Sequence, residues 1–252
     1  MILNEIINLI EEKFPKNLAY SWDNVGLLAG NRGMEINKIL LTLDITPNVV
    51  DEAINMGAEL IISHHPLIFE GIKSFEEGTS KTDMYVKLIR NNIAVYSAHT
   101  NMDLAESGIN QKLSEIFGLK NSAPLEDETG LGRVGDIEKT TLFEFANKVK
   151  KTLNTENVRV SGDADKEISK VAIGSGACSD LYPVAIQKGA DVLITADLKY
   201  HTAIDAYFDG IAIIDAGHYP TEIIAMDIFS ELLKDTGLKI EKSKNSDIFK
   251  FI

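Results

Sequence analysis

A short, uninterrupted apolar run that ends in two histidines is the feature that most constrains how this chain can fold. The segment 59–63 is predicted to be a strand, because it carries the consecutive apolar residues 60–62. His64 and His65 follow it directly, and Pro66 then ends the strand. A strand that is apolar on both faces is typical of a parallel sheet covered on both sides, so the run favours an α/β fold. Ligands of open α/β sheets bind beyond the carboxyl ends of the strands, where these two imidazoles lie.

The same order of apolar strand, polar side chains and helix recurs along the chain. Further strands are predicted at 38–45, 93–98, 170–173, 191–195 and 211–215. Helices are predicted at 2–14, 47–56, 83–91, 109–117 and 142–153, with a last long helix over 218–233. The alternation predicts an α/β fold of two α/β domains with mixed, largely parallel sheets. A loop at 121–129 suggests the boundary, which gives domains 1–125 and 126–252, with the last helix free to pack back on the first domain.

Composition excludes several classes of protein. The chain has a net charge of −13, which argues against a generally basic nucleic-acid surface. A single cysteine, Cys178, excludes an internal disulfide framework and a multi-cysteine zinc site. The first fourteen residues follow a helical pattern rather than that of a signal peptide, and no apolar run is long enough to span a bilayer, so we expect a cytoplasmic protein without membrane partners.

All the histidines of the chain follow predicted apolar strands. They are His64, His65, His99, His201 and His218. A single histidine is more often a structural residue than a ligand, but five in equivalent places favour a metal site. His218 and Glu222 are four residues apart at a helix start and can reach one face, whereas His99 and Asp103 share the spacing in a predicted loop. Nitrogen and oxygen ligands of this kind suit zinc, iron, manganese, cobalt or nickel, and adjacent histidines make a two-ion centre the first hypothesis.

Other motifs leave alternatives open. The loop Gly174, Ser175 and Gly176 could cradle a phosphate with its backbone N–H groups, or be a plain turn between strand and helix. Asp23 follows Trp22 in a turn and is as easily structural as functional. A nucleophilic mechanism through Cys178 lacks an indicated base.

Taken together, these segments resemble the NIF-three-like family of dinuclear-metal-centre proteins, also labelled GTP cyclohydrolase 1 type 2. The segments that carry the resemblance are WDNVGL at 22–27, SHHPL at 63–67, HTNMD at 99–103, GSG at 174–176, ADLKYH at 196–201 and GHYPTE at 217–222. They recur in the family's order over most of the chain. Ala196 departs from the glycine usual before the aspartate, and the domain inserted in larger members is missing.

The resemblance implies a ligand set and a function. His64, His65, Asp103, His218 and Glu222 would hold two divalent metal ions per subunit in a cleft between the domains, with the two carboxylates as bridges. His99 and His201 would line the pocket as proton-handling groups. The family also implies a homohexameric ring and a nucleotide-like or phosphorylated substrate, with GTP ring opening as the labelled reaction.

Two other classes of function compete with hydrolysis. A ring-shaped nucleic-acid binding or regulatory protein with structural metals would draw on Lys148, Lys150 and Lys151, which are otherwise a solvated face. A metal-trafficking protein would use the same ligands without catalysis. Family resemblance and fold alone do not decide among these.

Overall fold

The computed structural model describes residues 1–250, which form two compact units. The first consists of Met1–Ala105 together with Ala225–Ser246, and the second is built mainly of Glu106–Ile224. The predicted boundary at 125/126 therefore lies inside the second unit. The first unit ends instead just after a short helix that carries Asp103.

The first unit contains one sheet flanked by helices. Its helices are α1 (Leu3–Lys13), α2 (Pro47–Met56), α3 (Ser80–Arg90), α4 (Thr100–Leu104) and α10 (Ala225–Leu233), with 3-10 turns at Lys16–Leu18 and Lys234–Thr236. Its strands are β1 (Gly26–Ala29), β2 (Lys38–Thr42), β3 (Leu60–Ser63), β4 (Ala94–Ser97) and β11 (Lys239–Lys242). Within the described residues the strand order is β1-β4-β3-β2-β11, antiparallel only between β1 and β4.

The central strands of this sheet are buried on both faces, as the apolar run predicts. All four residues of β3 and of β4 are buried. The helix before β3 begins at Thr46, whose hydroxyl accepts the backbone N–H of Val49, and ends at Gly57 in the left-handed conformation. Thr46 therefore sets where α2 begins, and Gly57 sets where it ends, just before the strand that leads to the histidines.

Helix α10 returns to the first unit from the far end of the chain. Phe229 is fully buried and meets the buried Phe14 edge to face, with the ring centroids 6.2 Å apart. Strand β11 then pairs in parallel with β2. The C-terminal segment therefore completes the first unit's core rather than forming a separate element.

The second unit has a more mixed sheet. Its strands are β5 (Lys120–Pro124), β6 (Arg133–Thr141), β7 (Arg159–Ser161), β8 (Glu167–Ile173), β9 (Val192–Thr195) and β10 (Ala212–Asp215). Its helices are α5 (Ile109–Phe117), α6 (Leu142–Thr152), α7 (Tyr182–Gln187), α8 (Tyr200–Phe208) and α9 (His218–Glu222), with a 3-10 turn at Ser179–Leu181. Among the described strands the order is β5-β6-β8-β9-β10-β7. The neighbouring pairs β8–β9 and β9–β10 are parallel, and the other neighbouring pairs are antiparallel.

The prediction of an α/β fold with two mixed sheets is confirmed. The first sheet is largely parallel, as predicted, whereas most neighbouring strands of the second are antiparallel. Three local predictions differ from the structure. The loop predicted at 121–129 begins with the last four residues of β5, which pairs with β6. The last long helix is interrupted at residues 223–224, so that α9 belongs to the second unit and α10 to the first. Asp103 lies in the short helix α4 rather than in a loop. No helix within residues 1–250 has both the length and the apolar character needed to cross a bilayer.

The role of α10 predicts a large effect of truncating Phe229. Phe229→Ala is expected to lower the free energy of unfolding by about 3–5 kcal/mol, because it removes a fully buried ring from a packed core. Urea denaturation followed by far-UV circular dichroism measures the change. Phe208→Ala is the matched control, since that side chain is 81% exposed and its loss should change stability by no more than about 0.5 kcal/mol. Equal effects of the two substitutions would contradict the packing described for α10.

Candidate metal centre

Three imidazoles meet at the carboxyl edge of the first unit's sheet. Strands β3 and β4 are parallel neighbours, with Ser63 opposite Ser97. His64 and His65 follow β3 and His99 follows β4, so all three emerge at the same edge. Their ring centroids lie 5.0–5.5 Å apart, and one nitrogen from each ring lies within 4.8 Å of those of the other two. We call His64, His65 and His99 the histidine cluster.

The hydrogen bond of His64 fixes which ring nitrogen can bind a cation. Nδ1 of His64 lies 2.9 Å from the carbonyl oxygen of Ala98. A carbonyl can only accept, so Nδ1 carries a proton and Nε2 is the nitrogen that can offer a lone pair to a cation. His64 itself is fully buried. The backbone just beyond β4 therefore holds this imidazole in one orientation.

Carboxylates orient the other two imidazoles in the same way. Nδ1 of His65 lies 2.7 Å from Oδ1 of Asp44, and Nδ1 of His99 lies 2.9 Å from Oδ1 of Asp23. An ionised carboxylate accepts a hydrogen bond from Nδ1–H and raises the basicity of the opposite nitrogen. In each member of the cluster Nδ1 is engaged, which leaves Nε2 as the atom suited to a metal or a proton.

Asp23 is held ionised by several donors. Its second oxygen accepts hydrogen bonds from the backbone N–H of Thr100, at 3.0 Å, and from the hydroxyl of the same residue, at 2.5 Å. Burial acts to raise the pKa of the Asp23 carboxyl, but the hydrogen bonds from His99 and Thr100 and the charge of His99 outweigh it and lower the pKa to about 2. The alternative of a purely structural turn at Asp23 therefore does not describe this residue, because it positions a histidine of the cluster.

Asp103 brings a carboxylate beside the cluster. Helix α4 begins directly after His99, and Asp103 lies within it, largely buried. Oδ1 of Asp103 is 3.7 Å from Nε2 of His64. Nε2 of His64 thus faces an acidic oxygen. Nitrogen and oxygen donors at this separation fit a divalent cation of the zinc, iron or manganese type.

The second unit carries a matching histidine and carboxylate. His218 and Glu222 lie four residues apart on α9, and Nε2 of His218 is 2.9 Å from Oε2 of Glu222. Nδ1 of His218 lies 2.7 Å from Oδ2 of Asp197. The predicted pairing of His218 with Glu222 on one helix face is therefore present. Two ligands that share one cation at bond lengths of about 2.1 Å also lie roughly 3 Å apart, so the pair fits a metal as well as an ion pair.

Backbone geometry at Asp197 and Gly217 serves this pair. Asp197 has φ of 50°, the left-handed conformation that is uncommon for a residue other than glycine. Asp215, at the end of β10, accepts the backbone N–H of Leu198 at 3.2 Å and that of Gly217 at 3.1 Å, and it is ion-paired with Arg159. One buried carboxylate thereby fixes the two loops that carry Asp197 and His218.

The glycine loop after β8 is packed against Glu222. A Cβ added to Gly176 would lie 2.0 Å from Oε1 of Glu222 and 3.3 Å from Nε2 of His218, and the residue has φ of +59°. The backbone N–H groups of Gly174, Ser175 and Gly176 donate to the Ile194 carbonyl, the Asn110 side chain and the Thr221 hydroxyl, respectively. All three donors are used within the protein, so the loop does not present the open N–H groups that the predicted phosphate cradle requires. What it provides is a close backbone approach that only glycine allows.

Two groups singled out in the sequence lie apart from these clusters. His201, at the start of α8, is exposed, its ring contacts that of Tyr200, and it joins no group of three ligand atoms among the described residues. Lys148 donates through Nζ to the Phe117 carbonyl at 2.8 Å and lies over the Phe145 ring, 5.8 Å from its centroid. These contacts give no support to a proton-handling role for His201 or to a lysine-lined nucleic-acid surface.

The aspartates that orient the histidines are not predicted from the sequence. Asp44, Asp197 and Asp215 were not assigned roles there, although each lies at or just beyond the end of an apolar strand. A polar residue directly after an apolar strand is the pattern that pointed to the histidines, and the same pattern could have pointed to these aspartates. The pairing of each aspartate with a particular ring depends on the register of neighbouring strands, which one sequence does not give.

Gly176→Ala tests the close approach at Glu222. We expect it to weaken zinc or manganese binding at least ~10-fold, because the new methyl group must displace a carboxylate that the family resemblance implies as a metal ligand. Gly189→Ala is the matched control: that residue also has a positive φ, of +74°, but no atom lies within 4 Å of an added Cβ. Both substitutions carry the left-handed backbone penalty of roughly 1–2 kcal/mol. Calorimetric titration with the metal should separate them, and identical affinities would contradict the role given to Gly176.

Comparison with known proteins places the chain in a family. Residues 1–248 match the family model described as Duf34/NIF3 (NGG1p interacting factor 3). A protein of Clostridium perfringens named GTP cyclohydrolase 1 type 2 homolog is 40% identical over the full length of both chains.

Two solved structures share the fold over nearly the whole chain. The crystal structure of a Bacillus cereus protein related to NIF3 superposes with a TM-score of 0.94 and 27% identity, covering 100% of this chain and 99% of the other. Reduced HcgD from Methanocaldococcus jannaschii gives a TM-score of 0.87 at 35% identity, covering 97% and 98% of the two chains. The resemblance read from the motifs is thus confirmed, and this chain belongs to the Duf34/NIF3 family.

Proposed function

We propose that this chain is a metal-dependent hydrolase of a nucleotide-like or phosphorylated substrate, with GTP as the first substrate to test. The observation that carries the proposal is the histidine cluster, in which Nδ1 of every ring is engaged by a neighbouring oxygen. Such preparation of Nε2 is the usual second shell of a metal site. The name of the Clostridium perfringens relative, GTP cyclohydrolase 1 type 2 homolog, suggests the substrate.

The ligand set proposed for the metal is the one that the resemblance implies. His64, His65, Asp103, His218 and Glu222 would hold two divalent cations. The chemistry of the donors fits, since neutral imidazoles and carboxylates together suit first-row divalent ions. Bound cations would supply Lewis acidity, which polarises the reacting group of the substrate and makes water a better nucleophile at neutral pH.

His99 is the residue we assign to proton transfer. Its Nδ1 is held by Asp23, so Nε2 is free to exchange a proton with water or with the leaving group. The carboxylate of Asp23 stabilises the protonated ring and keeps it in one orientation. His201, the other residue considered from the sequence, is exposed and lies in neither cluster, so we give it no part in the reaction.

We prefer a metal-dependent mechanism to one with a cysteine nucleophile because of the surroundings of Cys178. Its backbone N–H donates to the hydroxyl of Thr195 at 3.2 Å, and its side chain packs under the glycine loop, 3.5 Å from the position of a Cβ at Gly174. We therefore assign no catalytic role to Cys178, and the imidazoles of the first unit belong to the histidine cluster.

His65→Ala tests the proposal directly. Purified protein supplied with manganese or zinc is expected to hydrolyse GTP, and the substitution should reduce kcat/KM by ~100-fold or more because a ligand nitrogen is removed. Product formation is followed by chromatography, and the metal content of each protein by elemental analysis. His201→Ala serves as the histidine-to-alanine control for metal content, which should remain that of the unsubstituted protein.

The two readouts separate metal binding from catalysis. A protein that binds metal through His65 but leaves GTP and related phosphorylated compounds unchanged would overturn the hydrolase proposal while leaving the metal site in place. Full activity in His65→Ala would overturn both.

A further inference from the structure

We propose that Tyr20, Trp22 and Phe69 form a stacking surface for a flat heteroaromatic ring of the nucleobase class, and we call these three residues the aromatic platform. The inference deepens the proposed function and rests on it for the identity of the substrate. It assigns recognition of the base to side chains next to the histidine cluster.

Two of the three rings of the platform are largely exposed to solvent. Trp22 is 58% exposed and Phe69 is 52% exposed, although aromatic rings of this size are among the most favourable side chains to bury. Other aromatic rings of the same unit, such as Phe14 and Tyr96, are fully buried. A cluster of exposed aromatic rings is typical of a binding surface rather than of random exposure.

The platform is held in place before any ligand binds. Tyr20 and Trp22 are stacked, with ring centroids 5.6 Å apart and an angle of 17° between the rings, and Phe69 lies 5.8 Å from Trp22. The side chain of Asn24 donates to the carbonyl of Ile68 at 2.6 Å, which ties the segment of Trp22 to that of Phe69. Because these rings are already ordered, a ligand that stacks on them loses little entropy to rearrangement.

The platform adjoins the proposed reaction centre. The ring of His99 lies 6.2 Å from that of Trp22 and 6.3 Å from that of Phe69, in edge contacts. His99 is in turn 5.2 Å from His64. A planar ring placed on the platform would therefore lie about one ring's width from the histidine cluster. Asp23, adjacent to Trp22, holds His99, so one short segment positions both the platform and the proton-transfer residue.

The arrangement of the rings favours a flat aromatic ligand over a cation. Quaternary ammonium sites surround the cation with aromatic faces. Here Tyr20 and Trp22 are nearly parallel, so Tyr20 covers one face of the indole and the pair offers a surface on which the stack can continue. Stacking on such a surface accepts any base with a π face, which suits purine or pterin-like rings.

The single tryptophan makes the inference directly measurable, since Trp22 is the only one in the chain. We expect guanosine 5′-monophosphate to quench the intrinsic fluorescence of the full-length, metal-supplied protein, and ribose 5-phosphate, which lacks the base, to leave it unchanged. Calorimetric titration should show that Trp22→Ala weakens guanosine 5′-monophosphate binding by about 5- to 150-fold, the range found for loss of one stacked base. Trp22→Phe should stay within about 3-fold, because it keeps an aromatic face.

Tyr207→Ala is the matched control, because that ring is 53% exposed on α8 in the second unit and should not alter binding. Unchanged affinity in Trp22→Ala, the same loss in Tyr207→Ala, no binding of guanosine 5′-monophosphate to the unsubstituted protein, or quenching by tetramethylammonium instead would each overturn the inference. Its failure is separable from that of the proposed function. GTP hydrolysis with an unchanged KM in Trp22→Ala removes the platform alone, whereas Trp22-dependent binding without hydrolysis removes the hydrolase alone.

Discussion

The hydrogen bond at Nδ1 of each histidine in the histidine cluster is the interaction on which the rest of the candidate site depends. A backbone carbonyl holds His64, and the carboxylates of Asp44 and Asp23 hold His65 and His99. Without these acceptors an imidazole could rotate and present either nitrogen. With the acceptors in place, each ring is held in one orientation, and Nε2 is its atom for a metal or a proton. His218 follows the same rule in the second unit through Asp197.

The sheets explain why these partners meet. In the first unit Thr42 of β2 is opposite Ser63 of β3, which is opposite Ser97 of β4, so the three strands end in one row. Asp44, His65 and His99 all lie two residues beyond that row. In the second unit Thr195 is opposite Asp215, which brings the loop of Asp197 beside that of His218. Parallel strands of equal register therefore convert positions scattered along the chain into adjacent side chains, the general reason that α/β sheets bind ligands at this edge.

The sequence predicted the parts of this arrangement that depend on local patterns. The apolar run before His64, the helix predicted at 47–56, and the spacing of His218 and Glu222 each have a local physical signature, and each is found in the structure. The features it failed to predict depend on distant parts of the chain. Residues 121–124 of β5 lie in the predicted loop, where Pro124 and the acidic residues after it favour a domain boundary, and only the pairing with β6 makes them a strand. The interruption between α9 and α10 likewise reflects which unit each helix packs in, and an apolar helical pattern does not encode that. The role of Gly176 depends on an approach to Glu222, 46 residues away, that no local signal shows.

The most direct test of the central claim is anomalous diffraction from crystals of the protein grown with zinc. We expect an anomalous peak at about 2.0–2.2 Å from Nε2 of His64 and from Nε2 of His65. The Nδ1 atoms should still be hydrogen-bonded to the carbonyl of Ala98 and the carboxylate of Asp44. A peak on a Nδ1 atom, or no peak at either ring in crystals that hold zinc elsewhere, would contradict it.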